Sequence, residues 1–378
     1  MDLTYTPEED AFRSQAKAWL AENVPHDLAS GDTAEGFAQH LEWERTLFEA
    51  RWAVVSWPRE YGGRDASIWE WLIFEEEYYR AGAPMRVTQN GIFLLAPTLF
   101  EFGTRAQQDR ILPRMAAGLD LWCQGWSEPG AGSDLAATKA RAVRDEARGG
   151  WRLTGQKTWT TRGAFCTHMF GLFRTDPESE RHRGLTYFMV PLDAPGVTVR
   201  GFGRLDGDEG FAEVFLEEAF VPDDAVIGEV DRGWSVAMAT TGSERGLTLR
   251  SPGRFQAAAE RLVDLARERG AAGDALARDR VVRAWIDAEA YQLFTLQQVT
   301  EIAQGAATGA RSSLNKLFWS ELDVRLHEAA LDLLGPEAEL DGPWSRGFLF
   351  ALAGPIYAGT NEIQRNIVAE RVLGLPRK

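Results

Sequence analysis

Three segments of this chain carry residue types able to do chemistry. The first is "CQGWSEPGAGSDLAATKARA". Gly130 and Gly132 allow a sharp turn whose N–H groups point one way, and Ser127 and Ser133 add hydroxyls. Such a backbone nest suits a pyrophosphate or the polar edge of a ring. Taken alone it is equally an ordinary Gly/Pro/Ser turn. The second is "GQKTWTTRG", where Trp159 and Thr161 stand two apart in a strand-like stretch. They therefore share a face, an aromatic beside a hydroxyl, able to pack a flat heterocycle or simply to fill a core. The third is "GPIYAGTNEIQRNIVAERV". Thr360 reads as the N-cap of a helix with Ile363, Ile367, Val368 and Val372 as its apolar positions. A Gly-Thr helix start offers backbone N–H groups to an anion or a carbonyl oxygen. Small Ala358 stands just before it.

Three regions must position these segments. Residues 1–120 read as an α-helical N-terminal domain. "TPEEDAFRSQAKAWLAENV" opens with a capping box, Thr6 at the N-cap, Pro7 at N1 and Glu9 at N3, and "ASIWEWLIFEEEYYRAGAP" and "TRAQQDRILPRMAAG" supply further helices. Residues 121–232 change period. "GWRLTGQKTWTT", "HMFGLFRT", "GLTYFMVPL", "GVTVRGF" and "FAEVFLEEAFVP" are short strand candidates, predicting an antiparallel barrel or sandwich. Residues 233–378 return to long helices, with Val281, Trp285, Leu293, Leu296 and Val299 spaced along one and Leu314, Leu317, Phe318, Leu322, Leu326 and Leu334 along another, implying a bundle. The expected fold class is α+β and multi-domain, with a helical, a β and a helical part in that order.

Composition removes other classes. The net charge of −15 argues against nucleic acid as a partner. Cys123 and Cys166 imply no disulfide framework, and five scattered histidines offer no metal-ligand spacing. No apolar run is long enough for a membrane span, and the acidic start lacks a signal-peptide pattern, so a cytoplasmic location is expected. Neither GxGxxG nor a Walker A pattern occurs.

With these segments in this order, the chain resembles the acyl-CoA dehydrogenase family over essentially its whole length. "SEPGAGSDLA" and "GQKTWTT" are similar to its two flavin segments and "YAGTNEIQRNIVAERVLG" to its terminal signature; "WPREYGG" and "FEEEYYRAGAP" agree as well. The resemblance implies FAD as cofactor, a CoA thioester (or a carrier-bound acyl thioester) as substrate, and removal of hydrogens from Cα and Cβ. It implies flavin contacts from Gln124, Gly125, Trp126, Ser127, Ser133, Trp159, Thr161, Thr360 and Glu362, and substrate contacts from Ser133, Arg245, Ala358 and Gly359. It further implies an electron-transfer flavoprotein as acceptor, and an oligomer, either of this chain or with a related one.

Two departures bear on mechanism. Many family members carry a glutamate where Ala358 stands, and a methyl group takes no proton. A subset instead carries its base early in the C-terminal domain, before an arginine. "TTGSERGLTLRSPGRF" matches that pattern with Glu244-Arg245, so Glu244 is the expected base. The family's Arg-x-x-Phe-Gly and Gln-x-x-Gly-Gly elements are incomplete in "LARERGAAGDALARD" and "LDLLGPEAELDG". The adenine half of the cofactor site is then built by other residues or by a second chain. Two alternatives stay open: a non-catalytic partner subunit of a heteromeric dehydrogenase, and a flavin oxidase or monooxygenase on the same fold.

Overall fold

A computed structural model describes residues 4–245, 251–306 and 309–376, excepting the side chains of 243–245. In chain order the helices before the sheet are α1 (Pro7–Asn23), α2 (Ala34–Glu49), α3 (Ile68–Arg80), α4 (Ala96–Phe102) and α5 (Arg105–Ala116). The strands are β1 (Trp122–Gly125), β2 (Arg141–Asp145), β3 (Gly150–Thr161), β4 (His168–Arg174), β5 (Leu185–Pro191), β6 (Val197–Phe202), β7 (Phe211–Pro222) and β8 (Val226–Ile227). The later helices are α6 (Gly233–Arg245), α7 (Pro252–Glu268), α8 (Ala275–Ala303), α9 (Ser312–Leu334), α10 (Pro343–Ala351) and α11 (Asn361–Ile367). The helical, β, helical order expected from the sequence is therefore present.

The chain forms two compact units. One comprises residues 1–25, 66–84 and 245–378, the other 26–65 and 85–244. The N-terminal helices are shared between them: α1 and α3 join the late helices, while α2, α4 and α5 join the sheet. Local signals place the ends of α1, α3 and α5. Each begins in a complete capping box, Thr6 with Glu9, Ser67 with Glu70, and Thr104 with Gln107. A cap of this kind contributes about 1 kcal/mol.

In the sheet unit the strands run in the order β6-β7-β3-β2-β4-β5-β8, with β1 beside β4. Most pairs are antiparallel, as expected, but β1 and β2 meet β4 in parallel. The parallel contacts exist because β1 leaves the helical segment and enters the sheet along β4, not through a hairpin. Leu153, Met169, Phe173, Phe188, Val190 and Val214 form the core of this sheet. Along β7, Ala212, Val214 and Leu216 are buried in alternation with half-exposed residues, the period expected of a strand with one buried face.

In the other unit α7, α8 and α9 pack around Phe255, Leu262, Tyr291, Trp319, Leu322 and Leu326. Here the apolar pattern differs from expectation. Trp285 and Leu293 of α8 are exposed, alongside Val282 and Ile286. Along the first half of α9 the buried residues include the polar Ser313, Asn315, Lys316 and Ser320 beside Trp319, while Leu314, Leu317 and Phe318 are only partly covered. Periodicity reports an apolar stripe, but not which surface covers it. Among the described residues no helix is long and apolar enough to cross a membrane, and no cluster of His, Cys, Asp or Glu could hold a metal ion.

Candidate functional site

Within the sheet unit, β1 delivers Gln124, Gly125 and Trp126 to the start of a loop. Gly125 is required by packing: a Cβ there would stand 2.0 Å from Met169 Sδ. Glu128 and Ala131 exchange backbone hydrogen bonds at 3.0 Å around Pro129-Gly130, a two-residue hairpin. Neither Gly130 nor Gly132 takes a positive φ. A Cβ on Gly130 or Gly132 would meet nothing within 4 Å, so no protein atom excludes a side chain there. Ser133 is exposed just beyond the hairpin and Ser127 is partly covered.

A buried ion pair fastens this loop to β3. Lys157, fully buried, donates through Nζ to Glu128 Oε1 at 2.8 Å and to the Leu172 carbonyl at 2.8 Å. Glu128 also accepts from the Lys139 and Ala140 amides, at 2.8 and 3.0 Å. Burial pushes the Lys157 ammonium below the usual lysine range, and Glu128 opposes that shift. A backbone bond from Thr158 N–H to the Ser127 carbonyl, 2.9 Å, completes the join. The structure thus brings Trp126 and Ser127 against the segment that carries Trp159.

Trp159 breaks its strand. The β3–β7 register slips between Lys157 and Thr160, and Trp159 has φ +59°. For a bulky L-residue this left-handed conformation costs about 1–3 kcal/mol. Its consequence is exposure: the indole is 59% exposed, with only the edges of Phe202 and Phe211 beside it at 5.2 and 5.5 Å. Thr160 takes the buried position instead, donating to the Ala212 carbonyl at 2.7 Å. Thr161, half-exposed, follows on β3. Two further groups lack partners inside the protein: the side-chain amide nitrogen of Gln124 and the indole nitrogen of Trp126 are buried and unbonded. An exposed, strained aromatic on β3 and buried unsatisfied donors on and just after β1 are features that a flat polar heterocycle would complete.

The remaining positions lie in the helical unit. Ala358 and Gly359 both adopt left-handed φ, +56° and +77°. Gln364, wholly buried on α11, pins that turn by donating to both carbonyls, at 3.0 and 3.1 Å. Thr360 is the N-cap as expected, accepting from Ile363 N–H at 3.3 Å. Glu362 is exposed on the first turn, and its own amide, then the Thr360 hydroxyl, hold its carboxyl below the usual range. The expected apolar stripe of α11 is not its buried face. Asn361 and Gln364 are buried, whereas Ile363, Ile367 and Val368 are half-covered and Val372 exposed. Asn361 instead accepts from buried Lys316 at 2.7 Å and Ser320 at 3.1 Å. Glu244 and Arg245 end α6, and their side chains lie outside the described residues.

Sequence reasoning did not single out the Lys157–Glu128 pair, Gln364 or Lys316. A lysine between Gln156 and Trp159 in an otherwise barrel-like strand was the available signal for the first. Nothing local marks a glutamine in a helix as a turn clamp.

Comparison with known proteins agrees across the chain. Residues 6–119, 123–218 and 231–373 match, respectively, the N-terminal, middle and C-terminal domains of acyl-CoA dehydrogenases. The chain is 42% identical to acyl-CoA dehydrogenase IpdE1 of Mycobacterium tuberculosis, covering 98% of each. Among solved structures it resembles the "Tcur3481-Tcur3483 steroid ACAD", at 27% identity, full coverage of both chains and a TM-score of 0.89. It also resembles the ChsE4-ChsE5 complex from Mycobacterium tuberculosis, at 28% identity, full coverage of both chains and a TM-score of 0.84.

Proposed function

The chain belongs to the acyl-CoA dehydrogenase family, and on that premise we propose that it oxidises the Cα–Cβ bond of an acyl-CoA thioester with Glu244 as base. It is an FAD-dependent enzyme of that family. The residues present fit the cofactor: the unpartnered donors of Gln124 and Trp126, the open approach over Gly130 and Gly132, and the exposed indole of Trp159. The single observation that carries the reading is Trp159, held in a costly backbone conformation that exposes its ring.

FAD held by these residues would supply the acceptor for the hydride from Cβ. The chain's own residues do the rest. Glu244 accepts the proton from Cα, whose weak acidity demands a positioned base. The electron pair of that C–H bond becomes the new C=C bond as the Cβ hydride leaves. The backbone of Ala358-Gly359 holds the thioester carbonyl, where charge develops, and Gln364 keeps that turn in place. Ser133 and Arg245 complete the substrate contacts. Trp159, with Thr161, Ser127 and Gly125, holds the ring system, and Thr360 and Glu362 reach the cofactor from the terminal helix. We assign these roles to the three domains at 1–120, 121–232 and 233–378, in a cytoplasmic enzyme.

A heteromer with a related chain is the assembly we favour. Two-component names of similar structures support it, as do the exposed Val282, Trp285 and Ile286 on α8. An electron-transfer flavoprotein is the proposed acceptor. The similarity to a steroid ACAD supports a bulky acyl group over a short one. A second reading, a partner subunit without chemistry of its own, is favoured by one observation, the methyl group at Ala358.

Glu244→Gln separates the two. FAD content should stay at the wild-type level, and flavin reduction by an acyl-CoA substrate should slow by about a hundred- to ten-thousand-fold. Wild-type reduction rates in this variant would transfer the base to another chain.

A further inference from the structure

Arg254 sits on α7 in the helical unit, in surroundings that do not suit a charge. Its guanidinium carbon lies 5.3 Å from the Phe255 ring centre and 6.0 Å from that of Phe350 on α10. One end of the fork is satisfied, with Nη2 donating to Asp323 Oδ2 at 2.9 Å. The other is not: Nη1 is buried and has no hydrogen-bond partner. A buried donor left unmade is costly, and a native protein keeps one when something else completes it. Phe350 lies 6.5 Å from Tyr357, ring centre to ring centre, and Tyr357 immediately precedes Ala358. The unused N–H therefore belongs to the same aromatic cluster as the residue leading into the thioester turn.

We propose that Arg254 reads a neutral oxygen, a ketone or hydroxyl, on the acyl group, remote from the thioester. This rests on the thioester reading given above. Neutrality follows from charge. Asp323 already matches the guanidinium, and it is itself 2% exposed. A carboxylate ligand would add a second anion beside buried Asp323, against aromatic walls that cannot solvate it. A carbonyl or hydroxyl oxygen takes the free N–H and leaves the charges balanced. Arg254 is thus a specificity-determining residue with no part in proton or hydride transfer.

The test uses FAD-loaded enzyme, with its partner chain if one is needed, and matched thioesters. The first set is 3-cyclohexylpropanoyl-CoA, its 4-oxo analogue and its 4-carboxy analogue; the second is decanoyl-CoA against 9-oxodecanoyl-CoA. The readout is the ratio of kcat/KM, oxo over deoxo, within each protein. Wild type should favour an oxo compound by about ten- to a hundredfold, the range of a hydrogen bond to a charged group. Arg254→Met leaves Asp323 buried without its guanidinium partner, so Arg254→Met with Asp323→Leu is measured beside it. Both should bring the ratio close to one. A role in folding alone would lower both rates and leave the ratio in place, which would overturn the assignment. So would a wild-type preference for the deoxo compounds, or for the carboxylate. If none of these thioesters reduces the bound flavin, the dehydrogenase reading itself falls, and this assignment with it.

Discussion

Replacing Lys157 by methionine removes the ammonium and keeps most of the volume, so the cavity contribution is small. What remains is Glu128, almost fully buried, with two backbone amides but no counter-charge. Breaking a buried pair from one side costs about 3–5 kcal/mol. The Leu172 carbonyl also loses its lysine donor, a smaller loss because a strand carbonyl has ladder partners. The expected destabilisation is therefore about 3–5 kcal/mol, and it falls on the loop that carries Trp126 and Ser127. Glu128→Gln should cost less. Its amide oxygen still accepts from Ala140, and Lys157, already lowered by burial, can release its proton. The double variant should be more stable than Lys157→Met alone, since no uncompensated carboxylate survives. Urea unfolding followed by β-sheet signal and by flavin release gives both quantities. A Lys157→Met loss under about 1 kcal/mol, or a double variant showing the plain sum of the singles, would refute the view that this pair clamps the loop to β3.

Two further outcomes are expected. Trp159→Ala should leave the apoprotein as stable as wild type or more so, because it relieves a strained position and exposes little new core, while FAD binds about tenfold more weakly; equal affinity by titration would remove the ring from the cofactor site. His168 stacks on Trp122 at 4.6 Å, and burial holds its pKa below 6.5. The unfolded chain then takes the proton first as pH falls, so this contribution is intact above about pH 6.5 and is lost from there down through the lowered folded value. His168→Phe keeps the stack and should flatten that part of the profile of Tm against pH; parallel profiles for the two proteins would contradict it.

How far the sequence could be read depended on whether the cause was local. Thr6, Ser67 and Thr104 cap their helices through residues three positions away, so short windows contain the whole interaction. Thr360 does the same, and its helix begins where its sequence says. Trp159 and Thr161 were legible as residue types, but not the bulge that exposes the indole. That bulge depends on β7, whose register across from Lys157 and Thr160 no local pattern records. The apolar spacing of α8, α9 and α11 was real, yet the buried faces include Lys316, Asn361 and Gln364, which bond to residues far away in sequence or to a turn. Arg254 and Asp323 are separated by most of three helices, so their pairing could only come from the packed bundle.

The replacement of a glutamate by Ala358 is easier to understand once the turn is seen. Left-handed φ at Ala358 costs about 1–2 kcal/mol for any L-residue, whatever its side chain. The turn is held through its carbonyls by Gln364 and through its exit by Thr360. None of those bonds uses the side chain at 358. The side chain at 358 can therefore change without disturbing these bonds. On the proposed reading, positioning and proton transfer are separable, the turn serving the first task and Glu244, on α6, the second. The arrangement also accounts for the strain. On the proposed reading, the left-handed pair at 358–359 orients the backbone toward the thioester carbonyl.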